Sequence, residues 1–256
     1  MRLIILIVSI AAIALAAALA ALGPGVRFGL WDYGTALGWM RNYLALPVLI
    51  AAGLAALAFL LSLWKARGLA PLALVATLAA GAAGYVPLKM KAMVEANPII
   101  HDVTTDFENP PAIVAAADLP RKNPPDYLGE GAVPRSDPQQ TLVEAQMAAF
   151  PDIQPLILQT SLEDAAGAAR AAIATMGMET LSEGPVSEES GSGWRIEAVS
   201  TSFWYGFKDD FIVRLSPGPD GSVRVDVRSK SRVGGSDLGA NAARARAFLA
   251  KMKSSA

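Results

Sequence analysis

Three long apolar runs open the chain. Leu3 to Leu22 carries Ser9 as its one polar member. Leu44 to Trp64 forms the second run, and Leu69 to Leu88 the third, softened by Pro71, Gly81, Gly84 and Pro87. Each is about 20 residues long, the length that crosses a hydrocarbon core at ~1.5 Å of rise per residue. Membrane helices tolerate Gly and Pro where neighbouring helices cover the backbone. Small residues recur in all three runs and let helices approach closely. The pattern predicts a transmembrane region over residues 1–92, with helices at about 3–22, 44–64 and 69–88. The stretch from Gly23 to Tyr43 reads as a loop. Its Trp31, Tyr33, Trp39 and Tyr43, with Arg27 and Arg41, suit a membrane–water interface.

The pattern then changes twice. Residues 97–155 hold ten of the chain's 17 prolines. Asn109-Pro110-Pro111, Asn123-Pro124-Pro125 and Ser136-Asp137-Pro138 are turn or extended signals, and proline at this density forbids long helices. Ile99, Ile100, Val103, Phe107, Ile113, Tyr127 and Leu128 are more large apolar residues than a free linker keeps. The segment is therefore expected to wrap the following domain in part. Thr141 to Phe150 has a short helical pattern.

Residues 156–253 read as an α+β domain. Pro155 to Thr160 is a strand. Ser161 caps a helix that runs to Met176, with Glu163 and Asp164 in its first turn and Gly177 ending it. Met178 to Leu181 is a short strand, and Glu183 to Gly193 a polar loop. Strands follow at Trp194–Phe203, Asp210–Leu215 and Ser222–Val233, the last two joined through Pro217-Gly218-Pro219-Asp220-Gly221. In the last strand Val223, Val225 and Val227 share one face, continued by Ser229, Ser231 and Val233. Arg224, Asp226, Arg228, Lys230 and Arg232 share the other, because side chains alternate with period two. Gly234-Gly235 breaks the strand. Ser236 or Asp237 caps a final helix to about Lys251. The expected fold is an antiparallel sheet with two helices packed on one face.

Charge separates the two regions. Residues 1–92 hold seven basic residues and one acid, Asp32; the remainder holds 22 acids and 15 bases, a formal −7 hidden within an overall −1. An acidic domain argues against nucleic-acid binding, which needs basic phosphate contacts. The chain has no cysteine and one histidine, His101. This excludes disulfides, thiolate chemistry and a lipoprotein cysteine, and disfavours zinc. No nucleotide loop, metal motif or nucleophile elbow appears, so no cofactor is expected.

Lys65 and Arg67 lie in the short connection between the second and third runs. By the positive-inside rule this turn is cytoplasmic, which places the C-terminal domain outside; Lys89 and Lys91 pull the other way. Arg2 ahead of the first run, with Ala18-Leu19-Ala20 near its end, resembles a signal peptide. The run is longer than a secretory apolar region, so a retained helix is expected.

Three groups of residues are candidates for function. Arg228, Lys230 and Arg232 on one strand face, with Ser236, Asp237, Asn241 and Arg244 at the start of the final helix, form a candidate anion site. The plain alternative is that the strip pairs with the domain's carboxylates. His101, Asp102 and Asp106, with Glu108, form a second cluster of the kind a general base needs. Phe203-Trp204-Tyr205-Gly206-Phe207 is an aromatic run that either closes a core or touches lipid.

Ile100-His101-Asp102-Val103-Thr104-Thr105-Asp106, followed by Asn109-Pro110-Pro111, resembles the start of the DUF1499 family, a domain of unknown function. Val227 to Asn241 (VRSKSRVGGSDLGAN), then Arg244 and Phe248, resembles its end. The resemblance covers about residues 97–252, and the three-helix front resembles the family's membrane-attached bacterial version. It implies a multi-pass protein of the bacterial inner membrane, with the lipid bilayer as partner and no established activity. That other members are exported agrees with an extracytoplasmic domain. The reading taken forward is a non-enzymatic envelope module that binds an anionic lipid or envelope component, or a protein. The alternatives are a hydrolase or transferase using His101 and Asp102 with Arg228 and Arg232, and a structural membrane scaffold.

Overall fold

A computed structural model describes every residue except Val133, Arg135, Ser136, Glu189, Ser190 and Ala256; for Ser187, Glu188 and Gly191 it describes the backbone alone. Ser136 of the third proline turn signal thus lies outside the described residues. The chain divides into two compact units. One comprises Met1–Met93 with the four residues Phe203–Gly206, and the other Val94–Ser202 with Phe207–Ala256.

The first unit is helical: α1 (Arg2–Arg27), α2 (Tyr33–Trp39), a π-helical turn (Met40–Leu44), α3 (Ala45–Lys65) and α4 (Ala70–Ala96). Three helical stretches, Arg2–Arg27, Tyr33–Lys65 and Arg67–Ala96, are long and apolar enough to cross a membrane. Their packing is inverted relative to a water-soluble bundle. Ala12, Ala51, Ala55, Ala76 and Ala80 fill the interior, while Leu3, Ile7, Ile50, Leu54, Leu57 and Leu78 face outward. Small residues inside and large apolar residues outside suit hydrocarbon as the solvent. Hydroxyls on these helices are satisfied locally: Ser9 donates to Ile5 O at 2.8 Å, and Thr77 to Ala73 O at 2.8 Å.

The expected loop Gly23–Tyr43 is largely helical. Asp32 supplies the reason, since its carboxylate accepts Thr35 N at 3.0 Å and Thr35 Oγ1 at 2.6 Å, starting α2. Trp31 packs edge-on against Trp39 at 5.4 Å and donates its indole N–H to Leu22 O at 2.9 Å.

The second unit is a six-stranded antiparallel sheet with helices, the α+β class expected from the sequence. Its strands are β1 (Asp102–Thr104), β2 (Leu156–Leu158), β3 (Glu179–Glu188), β4 (Gly191–Thr201), β5 (Lys208–Pro217) and β6 (Val223–Ser231). The order is β1-β6-β5-β4-β3, and β2 also pairs β6, further along the edge that β1 occupies. The polar stretch Glu183–Gly193 is not a loop: its described residues form the β3–β4 hairpin, with Val186 opposite Gly193 and Glu183 opposite Ile196. Cross-strand hydrogen bonds there override a composition that suits solvent.

Helices α5 (Leu142–Ala149), α6 (Leu162–Thr175) and α7 (Ala240–Ser254) complete the unit. Thr141 and Glu144 form a reciprocal capping box on α5. Gln146 then extends β1 sideways: its amide accepts Thr104 N at 3.1 Å and donates to Thr104 O at 2.7 Å. Ser161 caps α6 through Asp164 N at 3.1 Å. Ser161→Ala is expected to cost about 1 kcal/mol in a urea titration. The alanine face of α6 and Phe248 and Met252 of α7 pack on Ile196, Phe211, Val213, Val225 and Val227. Phe211 meets Phe248 edge-on at 5.1 Å. The opposite face of the sheet carries charge.

Candidate functional site

Alternation along β6 sends Val225, Val227, Ser229 and Ser231 toward α7, and Arg224, Asp226, Arg228, Lys230 and Arg232 to the other face. Registry carries this face onto neighbouring strands: Asp102 and Asp210 both stand opposite Lys230, Ile212 opposite Arg228, and Arg214 opposite Asp226. The result is a plate of charged side chains under the proline-rich segment. Its centre is buried, with Arg228 2 % exposed, Lys230 1 % and Asp102 3 %, while Arg224 at its rim is half-exposed.

Buried charges persist only when paired and hydrogen-bonded. Asp102 takes Arg228 side-on, with Nε to Oδ1 at 3.0 Å and Nη2 to Oδ2 at 2.8 Å, and holds Lys230 Nζ at 2.9 Å. Asp210 holds Arg232 at 2.7 Å and Arg121 at 2.7 Å. Asp226 and Asp106 share Arg214 and Arg224, at 2.8–3.1 Å. Burial pulls the Lys230 ammonium below its usual range, and Asp102 opposes this.

The proline-rich segment supplies the remaining acceptors. Pro111 O and Pro125 O, each the last residue of an Asn-Pro-Pro triplet, accept from Arg228 at 3.4 and 2.9 Å. Asp126 O accepts Lys230 Nζ at 2.7 Å, and the Tyr127 ring lies 5.3 Å from the Arg228 guanidinium. Asn123 Nδ2 donates to Ser231 O and Gly234 O, both at 2.8 Å. Proline carbonyls suit this role, because the ring removes a competing donor and fixes the chain extended. Ile113 and Ala116 pack on Ile212 at the margin, and Glu197 accepts the amides of Val114, Ala115 and Ala116.

The residues at the helix start lie across the sheet from this plate. Asn241 accepts from Ser229 Oγ at 2.7 Å and donates to Ser231 Oγ at 3.1 Å; Arg244 reaches Ser229 Oγ and Asp209, both at 2.8 Å. Asp237 accepts Gly239 N and Asn241 N at 2.8 Å each. It caps α7 from two residues before Gly239, whose φ of +83° favours glycine. Ser236 Oγ accepts Leu238 N at 3.2 Å. Burial raises the Asp237 carboxyl to about 6. The seven candidate residues thus do not converge: Arg228, Lys230 and Arg232 pair with carboxylates on one face of the sheet, Asn241 and Arg244 bind Ser229 on the other, and Ser236 and Asp237 serve backbone amides at the start of α7.

The His101 cluster is divided in the same way. Asp102 belongs to the plate through Arg228 and Lys230; Asp106 belongs to it through Arg214 and Arg224, and its Oδ1 also accepts Glu108 N and Asn109 N. The His101 ring engages the Gly235 backbone. Burial, reinforced by Lys230, holds the imidazole below its ordinary value. No group of three His, Asp or Glu among the described residues is arranged to hold a metal.

Arg121, Arg214 and Glu197 are not among the sequence candidates; Tyr127 enters there only as an apolar residue of the proline-rich segment, and Asp210 only as the start of a strand. The alternation Asp210, Ile212, Arg214 was a usable signal for two of them. Beside the plate, Phe107, Glu108, Tyr127, Leu128, Glu130 and Val143 line an open cleft of about 480 Å³. Gly129 has φ +43°, and a Cβ there would come within 2.7 Å of the Tyr127 ring.

Residues 102–252 match the family model described as "Protein of unknown function (DUF1499)". The chain belongs to the DUF1499 family. The match begins at Asp102 and takes in β6 with Arg228, so the DUF1499 region contains both halves of the central ion pair. No curated protein matches the chain.

Proposed function

We propose that this chain is a multi-pass protein of the bacterial inner membrane. Its DUF1499 domain lies outside the cytoplasm and acts as a non-enzymatic module that binds a protein partner. The inverted packing of the helices supports the membrane reading: outward Leu and Ile side chains need an apolar solvent. The observation that carries the binding reading is the cleft. It joins apolar walls (Phe107, Tyr127, Leu128, Val143) to two carboxylates, Glu108 and Glu130. That combination complements a partner segment with a basic residue beside apolar ones.

The plate supports a structural role for the basic strip. An anionic lipid or envelope component at Arg228, Lys230 or Arg232 would have to displace existing ion pairs. A hydrolase or transferase would need Asp102 released from two cations, a costly change for a buried carboxylate.

The test is site-specific photo-crosslinking in cells from a photoreactive residue at Leu128, on the rim of the cleft. One discrete protein adduct is expected, and it is lost on Glu108→Lys with Glu130→Lys. No adduct, or an adduct indifferent to both reversals, overturns the binding reading and favours the scaffold. Reporter fusions at the C-terminus test orientation: signal from a cytoplasmic reporter alone overturns the extracytoplasmic placement.

A further inference from the structure

We infer that the turn Phe203-Trp204-Tyr205-Gly206 is a lipid-contacting element that seats its aromatic rings in the bilayer interface. The inference rests on the membrane reading above and adds a contact that the three spans do not supply. These four residues cluster with the helices. Tyr205 packs against the group formed by Leu19, Leu22, Met40 and Val48. The Trp204 indole occupies a notch in α1 left by Gly23, where any Cβ would overlap it. Arg27 Nη1 donates to Phe203 O at 2.7 Å.

With its backbone and two of its rings fixed in this way, the turn leaves Phe203 82 % exposed and Trp204 43 % exposed. Phe28, beside Arg27, and Leu30 are also exposed, at 77 % and 71 %. Exposed apolar side chains grouped with a guanidinium, at the end of helices of membrane length, match the chemistry of the interface. The rings meet the acyl boundary and the cation meets headgroup oxygens. The same end carries Trp31, Trp39 and Tyr43, so the turn continues an aromatic girdle. A bilayer is the occupant that fits, because the exposed rings are continuous with an apolar helical surface.

The chain lacks cysteine, so single-cysteine labelling needs no background removal. The full chain, reconstituted in phosphatidylcholine vesicles, takes a nitroxide label at Phe203→Cys, with Leu54→Cys in α3 and Asp220→Cys in the β5–β6 turn as references. Phe203 is 82 % exposed and its ring contact is with the neighbouring Trp204, 6.0 Å between centroids, so its replacement leaves the Trp204–Gly23 and Tyr205 contacts in place. The expected result is a Phe203 label several-fold more accessible to oxygen than to a water-soluble nickel chelate, as for Leu54, with Asp220 reversed. A Phe203 label that behaves like Asp220 while Leu54 remains in lipid overturns the inference and leaves the anchor intact. A water-accessible Leu54 overturns both.

Discussion

Asp102→Ala is expected to lower the unfolding free energy of the C-terminal unit by about 3–5 kcal/mol, the usual loss when one partner of a buried ion pair is removed. Two cations depend on this carboxylate. Arg228 donates to both of its oxygens and Lys230 to one, and all three side chains are at most 2 % exposed. Removal leaves Arg228 with the carbonyls of Pro111 and Pro125, and Lys230 with Asp126 O, acceptors too weak to balance two buried charges. Asp152→Ala is the control. Its partner Arg246 is 42 % exposed and Asp152 itself 54 % exposed, so less than about 1 kcal/mol is expected there. Pulse proteolysis across a urea series, read on β6 peptides, compares the two. A loss at Asp102 no larger than that at Asp152 would show that the plate is not under the proposed load.

Stability should also fall as pH rises from about 4 to 6, and Asp237 is the source. Burial raises its carboxyl from 3.8 to about 6, against the amides of Asn241 and Gly239; nearby Asp209 pushes in the same direction as burial, and Arg244 opposes. The folded protein therefore holds a proton in this window that the unfolded chain has released. The resulting loss of stability is complete above the folded value and amounts to about 3 kcal/mol. Asp237→Asn keeps a neutral side chain at every pH and should remove this slope. It costs one acceptor, so the variant should be the less stable protein near pH 4 and gain on the wild type toward pH 7.5. Urea midpoints at these two pH values decide the matter; a wild-type and variant difference that does not change with pH refutes it.

The parts of this molecule that were legible in the sequence are those set by local pattern. The apolar runs, the Ser161 cap and the two-faced β6 needed only neighbours in the chain. The β3–β4 hairpin is not legible locally, because its Glu- and Ser-rich composition resembles a loop while its pairing is decided across strands. The plate was half legible. Alternation placed Arg228, Lys230 and Arg232 on one face, but what Arg228 meets depends on partners 103 to 126 positions away in the chain. For the same reason Asn241 and Arg244 looked close to the strip, yet they serve Ser229 and Ser231 on the reverse side.

The position of β6 has a consequence for the order in which the chain acquires structure. β1 and β2, far earlier in sequence, both use β6 as their sheet neighbour. Neither has a template until Val223–Ser231 has been synthesised. Asp102 meets its counter-ions only across a closure of 126 residues, and such distant closures are slow to form. In a nascent chain stopped before Val223, the segment from β1 to β2 should therefore be open and protease-sensitive. The domain would close in one late step, when its penultimate element arrives.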